Sequence, residues 1–305
     1  MEWEQARKLV RLANRHSRSG QGDSSTSAEV DPFAQVRAGS VCIASGKGGT
    51  GKSVVSANLA TLLAERARTL LVDADFGVGN AHIMQNVAPP MSFIDLVEGE
   101  AQARDVRHRC GPKLDLLAGG SGVSHMANLG GYELHLIACG IEALELEYGY
   151  VLTDSAAGIS NQTVSFAAAS DVVVIVTTPD ITALTDAYAF LKVLYQRRSD
   201  ITPLFLVNRA FDATEAQHVA ERIVSVSHKY LGREPRCIGY LPEDRAVVRG
   251  VNARRPTVLH EPYSTFATAI RHVADEIVQE LGRTRHRGLG RSLLRTVGYS
   301  PGFPS

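Results

Sequence analysis

Long apolar segments and paired cysteines are both missing from this sequence of 305 residues. No window approaches the roughly 18 uninterrupted apolar residues that a membrane-spanning helix needs, and the opening residues lack the apolar core of a secretion signal. The four cysteines form no C-x-x-C pair, which argues against a zinc site or a disulfide framework. We therefore expect a soluble protein of the reducing cytoplasm.

An overall excess of positive charge is also missing, because 32 basic residues balance 32 acidic ones. This balance argues against a general nucleic-acid-binding protein, and we expect no specific nucleic acid as a partner. The charge is nevertheless uneven, since residues 1–18 sum to +3, residues 283–305 to +5 and the remainder to −8. An acidic body with two basic ends indicates that the ends meet partners that the body does not.

The hydrophobic pattern divides the chain into four segments. Residues 1–16 place apolar side chains at spacings of three and four, which predicts a short amphipathic docking helix. Residues 17–39 are rich in Ser and Gly and predict a flexible linker. Residues 40–282 alternate short apolar strands with long helices, and residues 283–305 follow as a basic tail. The central pattern predicts an α/β fold, with a doubly wound, mainly parallel sheet covered by helices on both faces.

A glycine-rich motif lies between the first predicted strand and the first long predicted helix. Residues 46–53 read GKGGTGKS and contain the pattern G-x-x-x-x-G-K-S. In this context the pattern predicts a P-loop, in which main-chain N–H groups cradle phosphate oxygens, Lys52 reaches the β and γ phosphates and Ser53 binds Mg²⁺. A glycine-rich turn without a ligand is the alternative. The predicted phosphate-binding residues are Gly46, Gly48, Gly49, Thr50, Gly51, Lys52 and Ser53.

Three aspartates follow predicted strands. Asp73 and Asp75 come at the end of the second strand, and Asp154 ends a later one. The carboxyl ends of parallel strands converge on the ligand crevice of such folds. A metal-dependent hydrolase needs one acid near Mg²⁺ and another that orients the attacking water. Aspartates that only form turns at strand ends are the alternative interpretation.

Two further segments concern the nucleotide base. The N-K-x-D element of guanine-binding proteins is missing, and the dipeptide Asn208-Arg209 follows a predicted strand instead. The segment Pro242-Glu243-Asp244 follows the next strand. An Asn amide offers one donor and one acceptor, which complement the N6/N7 edge of adenine. The combination favours ATP over GTP.

The GKGGTGKS loop resembles the deviant Walker A motif of the MinD/ParA family, and the resemblance extends over residues 40–281. It implies a P-loop ATPase that uses ATP and Mg²⁺ and hydrolyses ATP slowly. In that family the early lysine, here Lys47, reaches the nucleotide of a second subunit. The resemblance therefore implies a homodimer in the ATP state.

The same resemblance assigns roles to the residues introduced above. Asp75 corresponds to the aspartate that positions the attacking water, and Asp154 to the residue on the metal side. The implied catalytic residues are Lys47, Lys52 and Asp75, the metal residues are Ser53, Asp73 and Asp154, and the base contacts are Asn208, Arg209, Pro242 and Asp244.

Several stretches resemble the FlhG group of this family, also called FleN or YlxH, which regulates flagellar number and placement. Residues 177–188 resemble its TTPEPTSLTDAY segment, and residues 95–99 and 116–122 resemble its DVIEG and LLPAGSG segments. The opening residues contain EQARKL, which resembles the motif DQAxxL that engages the GTPase FlhF. The resemblance implies an FlhF-like GTPase as a partner, with Gln5 and Leu9 as contacts.

A member of the FlhG group is also expected to end in a helix that binds anionic membrane at the inner face of the cell membrane. Residues 289–297 carry an apolar stripe among arginines, which fits such a helix. A disordered basic tail is the alternative for this short segment. The stripe consists of Leu289, Leu293, Leu294 and Val297.

The favoured function is an ATP-hydrolysing dimerisation switch of the MinD/FlhG type that acts on flagella through a GTPase and the membrane. A MinD-like division-site ATPase or a ParA-like partition ATPase is the alternative. A scaffold that binds nucleotide without hydrolysing it is an alternative of another class, although Lys52, Asp75 and Asp154 are all present.

Overall fold

The computed structural model describes residues 37–77, 79–120 and 129–297, so the predicted docking helix, with Gln5 and Leu9, lies outside the described residues. The described residues form an eight-stranded sheet. Its strands are β1 Gly39–Ser45, β2 Thr69–Ala74, β3 Arg107–Gly111, β4 Leu114–Leu117, β5 Tyr150–Ala157, β6 Val172–Thr177, β7 Leu204–Ala210 and β8 Arg236–Pro242. The spatial order is β3-β4-β2-β5-β1-β6-β7-β8, and only β3 pairs antiparallel with its neighbour in this sheet.

Helices cover both faces of this sheet. The long helices α1 and α10 pack against one face, while α4, α5, α6, α7 and α11 cover the other. This arrangement confirms the predicted doubly wound fold. The helices of the described residues are α1 Lys52–Arg66, α2 Ala81–Met84, α3 Phe93–Val97, α4 Gly131–Glu145, α5 Asn161–Ala169, α6 Ile181–Arg197, α7 Ala213–Leu231, α8 Arg245–Asn252, α9 Thr257–His260, α10 Thr265–Arg283 and α11 Leu289–Val297.

The position of a strand in the sheet explains its sequence. The central strand β6 reads VVVIVT, and all of its residues are buried because helices lie over both faces. The edge strand β3 reads RHRCG and is only partly buried. Among the described residues β3 has a neighbouring strand on one side only, which explains its polar sequence. Because the sequence is polar, the hydrophobic pattern did not predict this strand.

The C-terminal segment differs from the expected tail. Residues 289–297 do form a helix, α11, but Leu289 and Leu293 are fully buried among the residues of α4 and α5. The main-chain N–H of Gly290 donates a hydrogen bond of 3.0 Å to the buried Glu145 carboxylate of α4. The predicted separation of a tail at residue 282 is therefore wrong, because the apolar side of α11 completes the core.

The described body also begins earlier than residue 40. The Arg37 guanidinium donates to the same Glu145 carboxylate, and Ala38 is buried beside α4. The Glu145 carboxylate thus binds both Arg37, at the start of the described residues, and Gly290, near their end. No helix among the described residues has the length and apolarity needed to cross a bilayer.

The packing of α11 leads to a stability prediction. Leu293→Ala should lower the free energy of unfolding by about 2–5 kcal/mol, because it leaves a cavity in the core. The matched variant Arg291→Ala removes an exposed side chain of the same helix and should change the value by less than about 0.5 kcal/mol. Urea unfolding followed by circular dichroism measures both, and equal stability of the two variants would contradict the docking of α11.

Candidate nucleotide-binding site

The phosphate loop connects β1 to α1, and close packing fixes its shape. A Cβ added at Gly46 would lie 2.0 Å from the Asp186 carbonyl oxygen of α6, so only glycine fits there. Gly51 precedes α1 with φ of 90°, a left-handed conformation that glycine adopts without strain. The loop therefore delivers the N-terminus of α1, with its free N–H groups, to the carboxyl edge of the sheet, where an anion is stabilised.

Lys52 begins α1 and is 8% exposed. Burial lowers the pKa of its ammonium group, while the charges of Asp154 and Asp75 act in the opposite direction. The side chain thus lies between the phosphate loop and the acidic residues. This is the position that a lysine needs to stabilise the charge of bound phosphates.

Asp73 and Asp154 occupy paired register positions on the adjacent strands β2 and β5, and both are buried. Burial raises the pKa of Asp73 well above its ordinary value, and the charge of Asp154 raises it further. Burial also raises the pKa of Asp154, although the nearby Ser53 side chain and the charge of Lys52 oppose the increase. Two adjacent buried carboxylates with raised pKa values require a nearby cation if both are to be charged.

The residues at this point fit a magnesium ion. Asp154 Oδ1 accepts a 2.9 Å hydrogen bond from Ser56 Oγ, whereas Asp154 Oδ2 is buried and has no hydrogen-bond partner among the described residues. An unpartnered carboxylate oxygen near the Ser53 hydroxyl supplies the oxygen ligands that Mg²⁺ prefers. The described residues contain no cluster of three or more His, Cys, Asp or Glu that could hold a metal alone. Phosphate oxygens and water would therefore supply the remaining ligands.

Asp73 and Asp75 play different parts beside this position. Asp73 accepts main-chain hydrogen bonds from Ala81 at 3.1 Å and from Asp75 at 3.2 Å, so both of its oxygens are already engaged. Asp73 therefore contributes charge and holds the segment that follows β2. Asp75 itself is half-buried and interacts electrostatically with Lys52 and Asp154.

Asn208, a predicted base residue, is hydrogen-bonded within the protein. Asn208 Nδ2 donates a 2.7 Å hydrogen bond to the Thr50 carbonyl oxygen, and Asn208 Oδ1 accepts one of 3.0 Å from the Arg209 N–H. The amide thus fixes the phosphate loop from a position that is 5% exposed, and its predicted contact with adenine stays a prediction.

Asp244 has a similar supporting part. Its carboxylate accepts hydrogen bonds from the Ala246 N–H at the start of α8, and from the Thr265 hydroxyl and the Phe266 N–H at the start of α10. Pro242 ends β8 in register with Ala210 of β7. Asp244 thus ties the starts of α8 and α10 together, and the predicted contacts of Asp244 and Pro242 with the base stay predictions.

A cavity of about 460 Å³ opens beside the phosphate loop, where the loops after β6, β7 and β8 come together. It is lined by Arg209, which was predicted as a base contact, and by residues to which the sequence did not point. The signal for Phe211 was its alternation with Arg209 at the end of β7. The cavity is lined by Lys47, Gly48, Gly49, Thr50, Thr178, Pro179, Asp180, Ala183, Arg209, Phe211, Glu215 and Glu243.

Lys47 is held within its own chain in this structure. Its ammonium group donates to Asp180 Oδ2 at 3.1 Å and to the Thr182 hydroxyl at the start of α6. The N–H of Thr182 and the side chain of Lys47 together lower the pKa of Asp180. Lys47 therefore points to the same side of the phosphate loop as the cavity, away from the Asp73–Asp154 pair.

The buried carboxylate pair predicts an unusual pH dependence of stability. An acid whose pKa is raised by folding destabilises the folded state as pH rises from about 4 through the raised pKa. In EDTA, Asp154→Asn should therefore raise the melting temperature at pH 8 by about 2–4 °C, with the gain disappearing near pH 4. The substitution keeps an oxygen for Ser56 and removes one buried charge.

Differential scanning fluorimetry at several pH values measures this effect. The control Asp212→Asn changes an exposed helix-capping aspartate to an equally good cap and should show no such pH-dependent gain. A destabilising effect of Asp154→Asn at pH 8 in EDTA would show that the two carboxylates do not repel each other.

Comparison with known proteins supports the same kind of site. A family model described as the CobQ/CobB/MinD/ParA nucleotide binding domain matches residues 41–257. The antiactivator FleN of Pseudomonas aeruginosa is 28% identical, over 78% of this chain and 85% of FleN. The flagellum site-determining protein YlxH of Helicobacter pylori is 32% identical, over 79% of this chain and 82% of YlxH.

Solved structures give the same assignment. The septum site-determining protein MinD of Pyrococcus horikoshii, solved in complex with Mg-ADP, is 26% identical and superposes with a TM-score of 0.66. The similarity covers 79% of this chain and 96% of that MinD. With its glycine-rich loop, Lys52 and strand-end aspartates in place, the chain belongs to the CobQ/CobB/MinD/ParA nucleotide-binding family.

Proposed function

We propose that this chain is an ATP-dependent dimerisation switch that regulates flagellar number or placement. Its general activity follows from the family, and the chain is a MinD/ParA-type ATPase. The observation that carries the proposal is the arrangement of two lysines around the phosphate loop. Lys52 lies near Asp154, one oxygen of which has no hydrogen-bond partner among the described residues. Lys47 lies at the exposed side of the loop, where it pairs with Asp180. This arrangement supports a hydrolytic site and a lysine that could reach a second copy.

The residues of the chain divide the work of hydrolysis. The loop N–H groups and Lys52 bind and orient the phosphates of ATP. Ser53 and Asp154 would hold Mg²⁺, which would supply positive charge to offset the negative charge of the phosphates. The Asp75 carboxylate accepts a hydrogen bond from the attacking water and orients it. The Asp73 carboxylate keeps the Asp75 segment in position by accepting a hydrogen bond from the main-chain N–H of Asp75.

The homodimer is supported by the environment of Lys47. The Lys47 and Asp180 side chains are 40% and 50% exposed, so water screens their ion pair and the lysine can exchange partners. A triphosphate bound by a second copy would offer more negative charge than Asp180 does. We therefore assign Lys47 to the nucleotide of the partner subunit in the ATP state.

The flagellar role is supported by the relatives. FleN is an antiactivator and YlxH a flagellum site-determining protein, and each spans most of this chain. The MinD neighbour supports a division-site role as the second candidate. A partner GTPase of the FlhF type would bind through Gln5 and Leu9, which lie outside the described residues. The proposal contains no membrane step through residues 289–297, because Leu289 and Leu293 are committed to the core.

The assigned catalytic roles predict two different kinetic defects. Lys52→Ala should weaken ATP binding about 100-fold, because it removes charge-assisted hydrogen bonds to the phosphates. Asp75→Ala should bind ATP normally, hydrolyse it about 10²- to 10⁴-fold more slowly and accumulate dimer. The control Lys192→Ala removes an exposed lysine of α6 and should behave like the wild type.

Isothermal titration calorimetry, phosphate release and sedimentation velocity separate these defects. A monomeric Asp75→Ala protein with normal turnover would contradict the role assigned to Asp75. A Lys52→Ala protein with unchanged affinity for ATP would contradict the phosphate site itself.

The partner assignment has its own test. The double variant Gln5→Ala, Leu9→Ala should keep its intrinsic ATPase rate but lose retention of an FlhF-like GTPase in a pull-down with ATP. The control Gln21→Ala lies in the predicted linker and should retain the GTPase. Full retention by the double variant would contradict the predicted contacts, and retention of a division protein instead would favour the second candidate function.

A further inference from the structure

We propose that Phe211 is the platform on which the nucleotide base stacks, an inference that rests on the proposed binding of ATP. Phe211 follows the last residue of β7 and is 85% exposed, although it is a large apolar side chain. It also lines the cavity beside the phosphate loop. An aromatic ring at the edge of a ligand cavity provides a flat apolar surface that a base can cover.

The topology places the base on this side of the loop. The metal residues Asp73 and Asp154 lie on β2 and β5, which are on one side of β1 in the sheet. The phosphate loop follows β1, so a triphosphate with its γ end near Asp154 runs across the loop toward the other side. There the loops after β6, β7 and β8 enclose the cavity that contains Phe211. The base of a bound nucleotide therefore enters this cavity.

The main chain around Phe211 is fixed by its neighbours. The N–H of Phe211 donates a 2.7 Å hydrogen bond to the Glu215 carboxylate in the first turn of α7. The carbonyl oxygen of the buried Ala210 accepts a 3.0 Å hydrogen bond from the N–H of Glu243, which follows β8. Asp212 caps the start of α7. The ring is thus attached to a rigid support, so little main-chain entropy is lost when a base covers it.

Arg209 completes the proposed base site. The buried Ala210 separates Arg209 from Phe211, and both exposed side chains line the same cavity. Arg209 has φ of 59°, a conformation that is uncommon for residues other than glycine and often found at functional sites. Its guanidinium is 57% exposed and lies 3.7 Å from Glu243, which leaves it able to contact the ribose or the base. Stacking on Phe211 supplies affinity for the base, while Arg209 and Glu243 supply polar contacts.

The test compares two probes on the full chain, Mg-ATP and inorganic tripolyphosphate, by isothermal titration calorimetry. Phe211→Ala should bind ATP about tenfold more weakly, because stacking on the ring is lost, and should bind tripolyphosphate like the wild type. Phe211→Trp should restore the affinity for ATP. The control Tyr263→Ala removes a ring that is 96% exposed and does not line the cavity, and it should change neither affinity.

The outcomes separate this inference from the proposed function. If the wild type binds ATP and Phe211→Ala binds it equally well, stacking on Phe211 is wrong while the ATPase stands. The same holds if Phe211→Ala keeps its ATP affinity but no longer dimerises, which would assign the ring to the contact between copies. An equal loss of ATP and tripolyphosphate binding would also overturn the inference. A wild type that binds neither probe would overturn the inference and the proposed function together.

Discussion

The burial of two carboxylates side by side is the constraint on which the nucleotide site depends. Asp73 and Asp154 are almost completely buried on adjacent strands, and burial raises the pKa of both. A fold gains nothing from two adjacent buried acids unless a cation compensates them. Lys52 supplies part of that charge from α1, and the unpartnered Asp154 oxygen leaves a place for Mg²⁺. The binding of metal and nucleotide therefore relieves a conflict that the sheet itself creates.

Packing couples the phosphate loop to the neighbouring strands. Gly46 lies directly against the main chain of α6, and Asn208 at the end of β7 holds the Thr50 carbonyl oxygen. Asn208 also accepts from the N–H of its neighbour Arg209 at the end of β7, so one amide ties the phosphate loop to the strand end beside the cavity. A shift of the phosphate loop away from β7 would break the hydrogen bond between Asn208 and Thr50. The phosphate and base regions are thus expected to move together.

Much of the fold and the centre of the site follow from sequence patterns, whereas the surrounding contacts do not. Continuous apolar runs identify central parallel strands such as β6, and the glycine motif places Lys52 and Ser53 at the start of α1. The docking of α11 depends on an apolar groove formed by residues far away in sequence, so its short stripe alone did not distinguish core from membrane. The hydrogen bond from Asn208 to the phosphate loop could not be read from the sequence, because an amide pairs with adenine and with a main-chain carbonyl equally well.

The cavity brings the base region and the lysine expected to act on a second subunit into one place. Lys47 and Phe211 both line it, and the ion pair of Lys47 with Asp180 lies at its surface. Water screens such an exposed pair, so its contribution is too small to hold the lysine against the multiple negative charges of a triphosphate. A second copy carrying ATP would therefore displace Asp180, whereas a copy without nucleotide would not. In the proposed dimer, the charge of the bound nucleotide, rather than a large structural change, would make dimerisation depend on ATP.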